Sequence, residues 1–185
     1  MWTISVFGSA RPKPGEPEYE TAMALGRAIA EQGWTLCNGG YGGTMEAAAR
    51  GAVDAGGHTI GVTCAALRRP GANRYIRETV RTRDLLERLR TLIERGDGYV
   101  VLPGGTGTLA ELALVWEMRN KQLFKPMRTI VLLGDYWADV CGRLSESADV
   151  KAPPVAATVE EAIGRLRRSL SRRAAAKANA QRDRL

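Results

Sequence analysis

The chain predicts an α/β fold, a doubly wound Rossmann-like parallel sheet with helices on both faces, on three observations. Short apolar runs alternate with helical patterns along its length, the order that builds parallel strands joined by right-handed crossovers. The runs are almost continuously apolar, as strands must be when helices cover both sheet faces. Small-residue turns follow four of them, Gly8-Ser9-Ala10, Asn38-Gly39-Gly40, Thr63-Cys64 and Pro103-Gly104-Gly105, at the carboxyl strand ends where such sheets bind ligands.

The first strand is read over residues 2–7, and the three prolines of residues 11–17 make a loop before a helix at about 19–27. A strand over 34–37 passes through Gly39, Gly40, Gly42 and Gly43 into a helix at about 43–55. The strand at 59–63 precedes a second loop, 68–73, with Arg68, Arg69, Pro70 and Gly71; both loops read either as lids over a crevice or as ordinary surface connections. A helix is predicted at 79–95, with Leu85, Leu86, Leu89, Leu92 and Ile93 as its buried stripe and Arg88 on a flank about 90° from the centre of that stripe. A strand at 98–102 then enters a helix over 108–123, whose Leu109, Leu112, Val115, Trp116 and Leu123 face the core or a partner subunit. A strand at 129–133 and a helix at 158–170 complete the pattern. Residues 1–168 read as one domain and 169–185 as a basic C-terminal tail.

With 185 residues and 44% hydrophobic content, the chain suffices for one core without disulfides or metals. Its longest apolar runs are strand-sized and no charged segment precedes a hydrophobic one, so neither a membrane span nor a signal peptide is expected. Cys37, Cys64 and Cys141 lie widely spaced in apolar segments and read as reduced thiols of a cytoplasmic protein. The net charge of +7 is local: residues 1–163 hold 19 Lys/Arg and 19 Asp/Glu, and the excess lies in 164–185. Such a run is a solvated helix end or tail, with nucleic acid as at most a nonspecific partner.

The chemistry narrows by exclusion. His58 is the single histidine and reads as a strand-edge residue, which leaves histidine-based nucleophilic sites without their base. No Cys/His spacing suggests zinc. The loop after the 98–102 strand lacks the Gly-Lys-Ser/Thr ending of a nucleotide triphosphatase, and Gly40-Tyr41-Gly42-Gly43 is only a loose match to a dinucleotide fingerprint. What remains is a phosphate cradle, Gly104, Gly105, Thr106, Gly107 and Thr108, opening a helix with Glu111 one turn inside. A carboxylate and an arginine beside a bound phosphate suit cleavage of an N-glycosidic bond, whose transition state is a developing oxocarbenium ion.

The segment Pro103-Gly104-Gly105-Thr106-Gly107-Thr108-x-x-Glu111 resembles the Pro-Gly-Gly-x-Gly-Thr-x-x-Glu signature of the Lonely Guy (LOG) family, the cytokinin riboside 5′-monophosphate phosphoribohydrolases formerly labelled lysine decarboxylases. The resemblance runs over about residues 2–165 and includes Gly8-Ser9, the loop from Asn38 to Met45, and Lys125-Pro126. It implies a homodimer with sites near the subunit interface and places the family's second functional arginine on Arg88. Leu85, Leu86 and Leu89 stand where the family has Met, His and Lys, and Ala110 replaces a common glutamate, which marks a divergent subgroup. The implied activity is hydrolysis of a nucleoside 5′-monophosphate, of AMP or cytokinin riboside monophosphate type, to free base and ribose 5-phosphate without metal or organic cofactor. The alternative is a non-catalytic nucleotide-binding or sensing module of the same fold.

The expected catalytic residues are Glu111 and Arg88, and the expected phosphate or nucleotide contacts are residues 104–108 with Ser9, Gly39, Gly40 and Glu46. Three of these have plain structural readings that spacing leaves open. Thr108-x-x-Glu111 is also a capping box, Arg88 stands one turn after Asp84 as an exposed ion pair would, and Glu46 suits a first helical turn on charge alone.

Overall fold

The computed structural model describes residues 1–148 and 150–182, the last three as backbone alone. Its seven strands form one sheet in the order β4-β3-β2-β1-β5-β6-β7, parallel at every pairing. The strands are β1 (Thr3–Phe7), β2 (Thr35–Asn38), β3 (Thr59–Cys64), β4 (Glu78–Thr82), β5 (Gly98–Val101), β6 (Thr129–Leu133) and β7 (Val155–Ala156). Between and after them run α1 (Pro17–Glu31), α2 (Thr44–Asp54), α3 (Leu85–Arg95), α4 (Thr106–Asn120), α5 (Ala138–Ala148) and α6 (Val159–Arg182). The predicted doubly wound α/β class holds.

Two apolar cores flank the sheet, because each central strand buries both sets of its alternating side chains. On one face Ile4, Val6, Val100 and Val131 meet Leu25 and Ile29 of α1, the alanines of α2, and Ile163 and Leu166 of α6. On the other, Phe7, Tyr99, Val101 and Leu132 meet Leu92 and Ile93 of α3, Leu112, Val115 and Trp116 of α4, and Cys141 of α5. All three cysteines are buried and free. Strand order reverses between β1 and β5, whose register pairs Ile4 with Gly98 and Phe7 with Val101. The loops leaving these two strands therefore diverge and leave a crevice.

Four local readings are corrected. Residues 79–95 are not one helix: β4 occupies Glu78–Thr82 and α3 starts at Leu85. Its strand is an edge strand carrying Arg81 and Glu78, the charged pattern that edges tolerate, and the Asp84 side chain caps α3 by accepting from the Glu87 N–H at 2.8 Å. Leu85 and Leu86 are 48% and 75% exposed, and the buried stripe of α3 is Arg88, Leu89, Leu92 and Ile93. The first turn of α3 thus shows its leucines to solvent and its arginine to the interior. Helix α4 begins at Thr106, two residues before the expected start. Finally, α5 and β7 had no counterpart in the pattern: α5 buries only Cys141, and β7 is two residues long.

The boundary expected at 168/169 falls inside α6, which continues unbroken to Arg182. Beyond that point Leu170 is buried, Arg173 donates to the Asp97 carboxylate at 2.9 Å, and its guanidinium lies 4.9 Å from the centre of the Trp2 ring. Residues 183–185 of the expected tail lie outside the described residues.

Candidate active site

A crevice of about 870 Å³ opens over the carboxyl ends of β1, β2 and β5, a volume typical of small-ligand sites. One wall is the start of α4. Gly105 is its N-cap in an extended conformation, and the first intrahelical bond runs from the Leu109 N–H to the Gly105 carbonyl at 2.9 Å. The N–H groups of Thr106, Gly107 and Thr108 therefore have no intrahelical acceptor, at the positive end of the helix dipole. Gly104 must be glycine because a Cβ there would collide with the Thr108 hydroxyl, whereas Gly105 and Gly107 face open space. All five residues from Gly104 to Thr108 line the crevice.

Glu111 follows in the second turn of α4, 7% exposed. With Gly105 as N-cap, Thr108 is the third helical residue, so the capping-box reading fails: the carboxylate is too far along the helix to reach a free N–H of the first turn. Burial pushes the Glu111 carboxyl up to about 7, and the neighbouring Arg88 charge opposes part of that rise. A group with this value exchanges protons readily at neutral pH.

Arg88 reaches the same place from α3. It is 8% exposed, its Nε donates to the Val62 carbonyl at 2.9 Å, and its Nη2 donates to the Gly39 carbonyl at 3.4 Å. The remaining arm, Nη1, stands 3.6 Å from Oε1 of Glu111, within ion-pair range and beyond hydrogen-bond reach. Asp84 is not its partner, being occupied as the cap of α3. Gly39 makes room for this arrangement, since a Cβ there would collide with Nη2 of Arg88.

Of the other expected contacts, Ser9 and Gly39 line the crevice, and Gly40 and Glu46 do not. The Ser9 carbonyl is taken by the N–H and hydroxyl of Thr44, at 2.9 and 3.0 Å. Gly40 adopts φ +76° and packs on Gly61, with its N–H held by the Asn38 side chain at 2.8 Å. Glu46 is half-buried in the first turn of α2. His58 is exposed just before β3, 3.4 Å from Glu78, at the opposite end of the sheet.

Sequence reasoning missed Tyr41, Arg11, Arg69 and Tyr136, all of which line the crevice. Tyr41 had a usable signal, an aromatic among four glycines at a strand end. Arg11 and Arg69 belong to the two loops singled out as possible covers, and both loops do border the opening.

The SLOG cluster4 family model matches residues 1–146. A cytokinin riboside 5′-monophosphate phosphoribohydrolase of Mycobacterium marinum is 39% identical over 154 residues, 80% of each chain. One of Mycobacterium tuberculosis is 40% identical over 117 residues, 62% of each. Among solved structures, the molybdenum cofactor carrier protein of Chlamydomonas reinhardtii superposes with a TM-score of 0.73 at 29% identity, covering 92% of this chain and 98% of its own.

Proposed function

Because the chain belongs to the LOG family, through its SLOG cluster4 branch, we propose that it is a nucleotide phosphoribohydrolase acting on a nucleoside 5′-monophosphate. The observation that carries this reading is the Arg88–Glu111 pair, buried beside three uncommitted helix N–H groups in one crevice. The 5′-phosphate binds at Thr106, Gly107 and Thr108, where backbone donors and helix dipole favour an anion. This anchoring sets C1′ near Glu111, so that binding energy remote from the reacting bond contributes to its cleavage.

In the reaction, the C1′–N bond breaks with its electron pair leaving on the base, and a water oxygen bonds to C1′. Ionised Glu111 takes the proton that this water sheds and stabilises the cationic sugar. Arg88 offers Nη1 to negative charge developing in the bound substrate. The proton held on Glu111 passes to the departing nitrogen, which completes free base and ribose 5-phosphate and leaves the carboxylate ionised again. No step calls for a metal or organic cofactor.

Leu89 is buried and Ala110 is exposed, and neither borders the crevice. These departures from the family pattern therefore take no group from the wall, which supports turnover over the non-catalytic alternative. Free cysteines fit a cytoplasmic setting. Among the described residues no helix is long and apolar enough to cross a membrane. We read the assembly as a homodimer, for which exposed Leu85, Leu86, Leu114 and Leu123 of α3, α4 and its exit supply apolar surface; sedimentation at micromolar concentration tests it.

Incubation with a panel of nucleosides and their 5′-monophosphates, followed by chromatography of the bases, tests the activity. Release from monophosphates alone is the expected result, for adenylate or a cytokinin riboside monophosphate first. Tight binding without release would transfer the chain to the sensing or carrier class.

A further inference from the structure

Tyr41 is 7% exposed and its hydroxyl is fastened at the end of β3, accepting from the Cys64 N–H at 2.8 Å and donating to the Cys64 carbonyl at 3.3 Å. Its own carbonyl accepts from the Asn73 side chain at 2.8 Å. A ring pinned at both ends is a rigid plate. The Arg88 guanidinium lies 5.6 Å from its centre and that of Arg69 lies 5.4 Å away, distances at which a cation is held by the ring quadrupole. The Val62 and Gly39 carbonyls fix two other corners of Arg88, and the void at Gly39 admits it.

Building on the phosphoribohydrolase reading, we propose that Tyr41 is a positioning residue: its ring, with those two carbonyls, holds the Arg88 guanidinium off the Glu111 carboxylate. At 3.6 Å the cation is close enough to steady the carboxylate's charge and too far to close the bidentate pair that would occupy both acid oxygens. Without the plate, the side chain swings about its long stem toward Glu111, the only carboxylate in ion-pair range among the described residues. Glu111 then becomes a salt-bridge partner and stops being a base. The other ionisable groups on the crevice wall, Arg11, Glu16, Glu18, Arg69 and Tyr136, make no ion pair with either residue, so Arg88 controls the acid.

The test reads the Glu111 carboxyl directly, by carbon NMR of protein labelled at glutamate, with the resonance identified by its loss in Glu111→Gln. Tyr41→Leu should lower the midpoint by about one unit or more, the shift a carboxyl undergoes when a guanidinium closes on it. The acid limb of the kcat/KM profile should fall with it, and kcat should drop roughly tenfold with KM little changed, as for a group acting on the transition state alone. Tyr41→Phe, which keeps the plate, should recover most of the wild-type midpoint. Tyr41→Met, apolar without a ring face, carries the same expectation should Leu prevent folding. A folded Leu or Met variant with an unmoved Glu111 midpoint overturns the proposal. If the wild-type protein releases no base from any monophosphate, the phosphoribohydrolase reading fails, while the carboxyl titration still decides the role of Tyr41.

Discussion

The glycine-rich loops at 38–43 and 103–108 look alike in sequence and treat their backbones in opposite ways. In the first, the polar groups are consumed internally. Asn38 accepts from the Gly40 N–H and donates to the Met45 carbonyl, while Asn73 donates to the carbonyls of Gly40 and Tyr41. Its glycines admit neighbours: Gly39 makes way for Arg88, and Gly43, at φ +67°, lies against the backbone of Ser9 and Ala10. In the second loop, the helix-start N–H groups have no intrahelical acceptor and face the crevice. Glycine content therefore announces close approach without saying of what; the nearby asparagines distinguish scaffold from cradle.

The largest expected effect tests whether chemistry follows the second loop. Glu111→Gln keeps the side-chain volume and removes the charge, and base release should fall by about 10²-fold or more; near-normal turnover in a chromatographic assay would remove Glu111 from the mechanism. Next comes Thr106→Pro. Proline suits the first helical position, and the extended Gly105 before it is compatible, so the change deletes the N–H donor and, with Thr106→Val as the control for the hydroxyl, isolates its effect. KM for a monophosphate should rise about tenfold, the worth of a hydrogen bond to a charged group, with thermal unfolding nearly unchanged.

Two alanine substitutions in the first loop separate its two jobs. Gly39→Ala displaces Arg88 and should cost roughly tenfold in kcat with a modest loss of stability. Gly43→Ala meets fixed backbone at a left-handed φ, so it should destabilise the fold by about 2 kcal/mol or more while the folded fraction keeps its kcat. Denaturant titration beside steady-state kinetics shows whether the two effects part in this way.

The most gradual effect concerns pH and stability. The folded Glu111 value, about 7, exceeds its ordinary 4.5, so the folded state binds the extra proton between those values. Its contribution is fully present below pH about 4.5 and is lost as pH rises through about 7. Relative to Glu111→Gln, the wild-type protein should lose on the order of 1–3 kcal/mol across that window, measured by urea unfolding. A constant difference would mean that the carboxylate is less desolvated than its burial indicates.

The central strands and the glycine-rich start of α4 were legible because each has a strong local signature. Five apolar runs marked β1, β2, β3, β5 and β6, and a proline-glycine turn after the fourth of these marked the helix start to within two residues. Strand β4 was not legible, because the leucine periodicity of α3 runs straight into an edge strand whose own alternation is charged. Arg88 was expected on a flank of α3 and stands instead in its buried stripe. An arginine in the buried stripe of an amphipathic helix breaks the pattern unless Val62, Gly39 and Tyr41, distant in sequence, are known to receive it. Tyr41 offered a signal, an aromatic among four glycines at a strand end, but its contacts with Cys64 and Arg88 form only in the fold.

The pairing of β1 with β5 has a consequence for folding. More than ninety residues separate the partners, so the crevice between them forms only through a non-local docking of two distant segments, a slow step in topological terms. A chain in which that docking fails has no crevice, and any small molecule that binds there stabilises the docked state through mass action.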